Sequence, residues 1–314
     1  MKSKVLAGLK KTSIIWALLL LVIVMSILSP SFLTGRNLAN VVKQISINGI
    51  LAVGMTIVII TGGIDLSVGS TVALSSIIAA MFAVVDSGYP LIVPTFLAML
   101  TGVLVGMFNG FGVAYAKFPP FIITLSSMTI IRGISLLITN GIPIFGLSDS
   151  MINLANGTFL GIPNLIYYLL AVFLIGLFTL NYTVFGRHLY AVGGNEISAN
   201  SSGIHVNFVK LAAYSISGFC AGLAGLLTVS RITSGNPTTG EGYEMNAIAA
   251  AVIGGVSMSG GKGGLVGTII GALLIGVVQN GLDILGISAY YQKVIQGLII
   301  MIAVYVDIRN SKNN

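Results

Sequence analysis

The sequence predicts an all-α fold, a polytopic transmembrane helical bundle of about ten spans, on three observations. Only 7% of the 314 residues are charged and 55% are hydrophobic, where a soluble globular domain carries about 25% charged residues. The mean hydropathy is +1.01. Eight charge-free stretches, among them 12–35, 44–64, 87–116, 150–186 and 263–282, reach or approach the ~20 residues needed to cross a hydrocarbon core of ~30 Å. So few ionic side chains cannot cover a soluble surface of this size, whereas lipid tolerates an apolar exterior. A cytosolic enzyme, a secreted module and a disordered chain are excluded together.

The elements follow in order. The first span, 14–29, comes after Lys2, Lys4, Lys10 and Lys11. That pairing imitates a signal peptide, but no A-x-A-like cleavage site follows, so it reads as an uncleaved first helix. Spans 45–62 and 69–85 flank a glycine-rich break. Span 91–115 carries Gly102, Gly106 and Gly110, and span 208–230 carries Gly218 and Gly222. Such spacing lays a smooth stripe along a helix, against which another helix packs closely. Gly263, Gly267 and Gly271 repeat it at span 264–282. Spans 121–139, 164–181, 246–259 and 291–307 complete the ten. Arg132 falls inside one of them, where it can snorkel, pair with a carbonyl or face the interior.

An even number of spans places both termini on one side, and the basic start makes that side cytoplasmic. Cytoplasmic segments then hold ten basic residues and external segments four, Arg36, Lys43, Arg231 and Lys293, as the positive-inside rule requires. The net charge of +7 therefore records topology, and no nucleic-acid partner is expected. Residues 1–314 form one membrane domain, with spans over roughly 14–307 and a cytoplasmic segment at 186–206.

Catalysis has little support. There is no phosphate-binding G-x-x-x-x-G-K-[ST], no G-x-G-x-x-G and no H-E-x-x-H. Cys220 is the single cysteine, and His188 and His205 are the only histidines, too few for a metal cluster. Uphill work must draw on a partner or an ion gradient.

Asp65 is the most telling charge. It stands in the break containing Gly62, Gly63, Ser67 and Gly69, where it can cap a helix starting near Ser67 or face a permeation path. The cap is preferred, because the topology puts Asp65 near the cytoplasmic surface. In the cytoplasmic segment, Gly194 precedes Asn195, which suits an N-cap; Glu196 suits the positive dipole end, and Gly203 suits C′. A helix this short is marginal alone in water and needs a surface to pack on. Within the spans, uncharged groups such as Asn48, Asn109, Gln279 and Asn280 suit a neutral, hydroxyl-rich solute better than an ion, although most such groups bond only to neighbouring helices.

Four blocks, spread over almost the whole chain, carry a family resemblance. They are Gly62-Gly63-Ile64-Asp65-Leu66-Ser67-Val68-Gly69-Ser70; Ala191 to Glu196 with Ser202-Gly203-Ile204; Gly242-Tyr243-Glu244 through Gly260-Gly261-Lys262-Gly263; and Tyr290-Tyr291-Gln292 with Ala303 to Asp307. The chain resembles the ribose-type permease subunits of ATP-binding-cassette sugar importers. The resemblance implies a bacterial inner-membrane permease acting beside a second copy, without cofactors of its own. It implies a cytoplasmic ATPase with two cassettes that uses ATP and Mg, and an external binding protein that delivers a monosaccharide, ribose being the expected one. Gly194, Asn195, Glu196, Ala199, Ser202 and Gly203 would then form the coupling helix that docks on the ATPase. Arg231, Glu241 and Glu244 would meet the binding protein, and access would alternate as ATP binding closes the cassettes.

The main alternative is a gradient-driven secondary sugar transporter. Such proteins usually keep coupling carboxylates at the midplane, whereas Asp65, Asp86, Asp149, Asp283 and Asp307 all fall near predicted ends of spans. A passive channel or a membrane-embedded enzyme ranks third.

Overall fold

The computed structural model describes residues 2–312, and its regular structure is almost entirely helical. The helices are α1 Lys2–Leu28, α2 Gly35–Ile60, α3 Val68–Ala83, α4 Ile92–Ala114, α5 Pro120–Thr139, α6 Asp149–Asn156, α7 Asn164–Tyr182, α8 Val184–Gly194, α9 Glu196–Ser201, α10 Val206–Ile232, α11 Tyr243–Ile253, α12 Leu265–Ile284 and α13 Ala289–Lys312. A small hairpin, β1 Thr158–Phe159 with β2 Ile162–Pro163, precedes α7. The all-α membrane bundle is as expected, and each predicted span overlaps one helix. The additions α6 and α8 lie in stretches read as connections.

Among the described residues six helices, α2, α4, α5, α7, α10 and α12, are long and apolar enough to cross a bilayer. Two other helices are short, α3 close to its predicted length and α11 below it. Helices α3 and α11 have 16 and 11 residues, about 24 and 16 Å at ~1.5 Å per residue. The stretch 246–259 is thus not one continuous helix. It stops at Ile253 because a run of glycines follows, in which Gly255, Gly260, Gly261 and Gly263 all adopt positive φ.

Burial sorts the helices into centre and rim. Of the most apolar windows, 89% of α2 and 78% of α10 is buried inside the protein, against 22% for α5 and 17% for α7. Every residue of α2 from Ile45 to Ile60 is buried, which fits its hydrophobicity on all sides. Helices α5 and α7 keep their apolar faces outward, where lipid is the matching solvent.

The tightest seam joins α4 and α10. A Cβ added at Gly102 would strike the carbonyl oxygen of Gly218, one at Gly218 would strike that of Gly102, and Gly106 lies on the backbone of Tyr214 and Ser215. The predicted stripe is therefore a packing surface. Gly267 and Gly271 of α12 likewise lie on the backbone of Gly254 and Ala250. Gly263 does not belong to that stripe. It precedes the helix, with φ +131 against Val256. Cys220 is buried where α10 meets Gly54 of α2.

Two ends of the bundle are distinct. At one, α6 is tied to the end of α10: Ser230 Oγ accepts from Ala155 N (2.8 Å) and donates to Ile152 O (3.0 Å). At the other, Gly261 N donates to Ile60 O (2.9 Å) and Tyr190 Oη donates to Gly263 O (3.0 Å), which bind the end of α2 and α8 respectively to the glycine-rich turn after α11. Burial there pushes the Tyr190 phenol above its ordinary value.

Candidate functional site

Three places carry the predicted residues, and the first is the break between α2 and α3. Gly62 takes φ +79 to turn the chain. A side chain at Gly63 would meet the Tyr214 hydroxyl, and one at Gly69 would meet Gly240 O and the Glu244 carboxylate. The last contact turns Glu244 inward onto the first turn of α3. Asp65 is 1% exposed. Its Oδ1 accepts from Ser67 N (3.0 Å) and Ser67 Oγ (2.7 Å), its Oδ2 from Ser217 Oγ (3.0 Å). Asn109 Nδ2 donates to Ser67 Oγ (2.8 Å) and reaches Asp65 Oδ1 at 3.5 Å.

The capping role is present in shifted form, since Ser67 occupies the N-cap position and Asp65 supplies the acceptor. The expected depth is corrected. Ser217 lies eleven residues into α10, about 16 Å along its axis, so Asp65 is inside the bundle rather than near a surface. Hydroxyl and amide donors make its burial tolerable. The chain also has a buried carboxylate that the comparison of span ends did not foresee.

The second place is α9. Thr183 Oγ1 first caps α8 by accepting from Gly186 N (3.1 Å). Asn195 ends α8 and N-caps α9, its Oδ1 accepting from Ser198 N (2.9 Å). Gly203, at φ +82, closes the other end: its N–H donates to Asn200 O (3.0 Å) while Ile204 N donates to Ala199 O (3.1 Å), the Schellman arrangement. Both predicted caps are in place on a six-residue helix. Lys210 Nζ and Glu196 Oε2 form an ion pair at 2.6 Å between α9 and the first turns of α10. Ala199 is 4% exposed on the inner face, whereas Ile197 is 80% exposed. Beside it opens a groove of about 1,030 Å³, walled by Ile197, Asn200, His205, Phe208, Tyr115 and Lys117.

The third place is a polar cavity of about 350 Å³ towards the α6 end of the bundle. Helix α2 lends Gln44, Ile47 and Asn48; α10 lends Arg231 and Ile232; α11 lends Tyr243 and Asn246; α12 lends Gln279; α13 lends Gln292 and Gln296; and Glu241 stands at the preceding loop. The pairs Gln44/Asn48 and Gln292/Gln296 are each one helical turn apart and so share a face. An amide chain ties the walls together. Gln44 Nε2 donates to Gln279 Oε1 (3.2 Å), Gln279 Nε2 to Asn246 Oδ1 (2.9 Å), and Gln296 Nε2 to the same Oδ1 (2.6 Å).

Of the four polar residues singled out in the spans, Asn48 and Gln279 line this cavity. Asn109 belongs to the Asp65 cluster, and Asn280 exchanges two hydrogen bonds of 2.9 Å with Asn37. Of the three charged residues expected to meet the binding protein, Arg231 and Glu241 lie at the cavity. Arg132 donates to Pro237 O and Thr239 O (2.9 Å), the carbonyl option, and so pins the loop that reaches from α10 to Glu241. Gln44 and Asn246 were missed. Each lies at the edge of an apolar run, and the helix-period position of Gln44 relative to Asn48 was the available signal.

Comparison with known proteins is consistent over nearly the whole chain. Residues 37–304 match the family described as "Branched-chain amino acid transport system / permease component". The chain is 46% identical over 296 residues to the "Ribose import permease protein RbsC" of Bacillus subtilis (strain 168), covering 94% of this chain and 91% of that protein. It is 44% identical over 295 residues to the protein of the same name from Escherichia coli (strain K12), covering 93% and 91%. It is 41% identical over 297 residues to the "D-allose transport system permease protein AlsC" of Escherichia coli (strain K12), covering 92% and 89%. No solved structure matches the chain.

Proposed function

The chain belongs to the branched-chain amino acid transport system / permease component family, and on that premise we propose that it is the multi-pass permease subunit of an ATP-binding-cassette importer for a monosaccharide, ribose first among the candidates. Relatives named for ribose and allose permeases support the sugar. The reading includes ten crossings, with α3 and α11 completed by the non-helical stretches before them. It also includes cytoplasmic termini, a bacterial inner-membrane location, a second permease copy, an external sugar-binding protein and a separate ATPase that uses ATP and Mg.

One observation carries the assignment of the ATPase surface. Helix α9 is capped at both ends, fastened to α10 by Glu196–Lys210, and presents Ile197 outward beside an open groove. A doubly capped helix of six residues is a rigid knob. Because the ion pair fastens it to α10, a push on α9 reaches the helix whose Ser217 holds Asp65. Closure of the cassettes would thus be transmitted to the centre of the bundle, and access would pass from one face to the other.

Ala199 is buried, so Ala199→Trp would displace α9 whatever it docks on; Ile197→Glu changes only the outward face, and Glu196→Lys breaks the tie to α10. Both should reduce sugar uptake at least tenfold while membrane levels stay normal. An ATPase still bound and still stimulated by loaded binding protein in Ile197→Glu would remove the assignment. The gradient-driven alternative predicts uptake that survives ATP depletion and collapses with an ionophore. No relative named above supports it.

A further inference from the structure

The cavity between α2, α11, α12 and α13 has a composition that transport alone does not require. Its lining contains six carboxamides, one cation and one anion, Arg231 and Glu241, with the Tyr243 ring and two isoleucines between them. Charges of opposite sign cancel, so an ionic solute gains no net attraction. Each carboxamide offers a donor and an acceptor side by side, the match for a hydroxyl that must do both. Apolar edges at Ile47 and Tyr243 suit the C–H face of a sugar ring. The volume of about 350 Å³ falls at the small end of the ~300–1,000 Å³ typical of small-molecule sites.

A second, independent observation points to a ligand. Asn48 is 5% exposed and lines the cavity, yet its carboxamide makes no hydrogen bond to any other described residue. Its neighbours Gln44, Gln279, Asn246 and Gln296 are occupied with one another. That chain fixes the walls, and Asn48 is left facing the space. An amide without a protein partner is left to bond whatever fills the cavity, and a pair of sugar hydroxyls meets its donor and its acceptor together.

We propose that this cavity is a binding station for one neutral monosaccharide in each permease chain, with the Asn48 carboxamide as a principal contact. The proposal rests on the sugar-importer reading and adds that the permease itself recognises the sugar. Arg231 and the exposed Glu241 line the cavity at the α6 end, the external end in the proposed topology, where a binding protein would release its load.

The experiment uses the permease–ATPase complex in lipid nanodiscs, without binding protein, and equilibrium dialysis of labelled ribose. Wild type should retain ribose saturably, one molecule per permease chain, and 2-deoxyribose should compete less well. Asn48→Leu should weaken retention about tenfold, the loss of a hydrogen-bonded contact, and should narrow the preference for ribose. Asn48→Ser, which keeps a hydroxyl in a smaller side chain, supplies the same comparison if the leucine variant fails to accumulate. Saturable retention that neither variant alters overturns the proposal, as does the absence of saturable retention in a wild type that still transports ribose with its partners. If wild type with all partners moves no monosaccharide, the sugar-importer reading itself fails, and the two failures are separated.

Discussion

The α4–α10 seam and the cavity among α2, α11, α12 and α13 are opposite ways of joining helices. At the seam there are no side chains between the backbones: Gly102 and Gly106 meet Gly218 and Tyr214 directly. At the cavity, near one end of helices that pack closely elsewhere, amides bond across a local gap, Gln44 to Gln279 and Gln279 to Asn246. In lipid, water supplies no hydrophobic push between helices, so close packing and side-chain hydrogen bonds are what remain. The difference teaches that glycine seals and glutamine spaces. A transport bundle needs both, a rigid wall and a wettable gap.

Substitutions test that contrast, and the seam should be the more fragile side. Gly102→Leu would place a side chain into the Gly218 carbonyl, an overpacking of ~1–3 kcal/mol or more. It should abolish accumulation of folded protein, read as loss of the monodisperse peak after detergent extraction. Gly133→Ala, on α5 with open space around it, should extract and melt like wild type. If Gly102→Leu does so too, the seam is not a fixed wall. By the same reasoning Gly267→Leu, against Gly254, should damage the protein itself rather than transport alone.

Asp65 stands at the edge of the seam, bonded through Asn109 and Ser217 to the two helices that form it. Asp65→Ala strands those donors in a dry interior and should lower stability by ~1–3 kcal/mol. The check is the melting temperature by intrinsic fluorescence, and an unchanged value would deny the cluster any part in holding α3. The smallest effect is expected at the cavity, where Gln44→Leu removes one neutral hydrogen bond worth about 1 kcal/mol. A loss as large as that of Asp65→Ala would mean that the amide chain is structural and the contrast with the seam false.

The helices themselves were legible in the sequence because a membrane imposes length and apolarity on each segment independently. So was α9, whose caps Asn195 and Gly203 lie within a few residues of what they cap. What escaped depends on pairing at a distance. Asp65 could be read as a local cap, but its depth is set by Ser217 of α10, and Gln44 meets a partner on α12 that only the folded bundle brings near. Helix α11 was overestimated because its apolar run continues into glycines that hydropathy counts but a helix does not keep. Gly263 joined a stripe on spacing alone, although its backbone is not helical. Helix α8 was passed over because glycines at both ends disguised it as a connection.

The lone thiol has a practical consequence. Cys220 of α10 is shut against Gly54 of α2, out of reach of a maleimide, and the chain has no other cysteine. The chain is therefore a clean background for labelling: a cysteine introduced at Lys262 or Tyr290, both exposed, would be the single reactive group. Spin labels or fluorophores placed there would report on the two ends of the bundle during a transport cycle without any background to subtract.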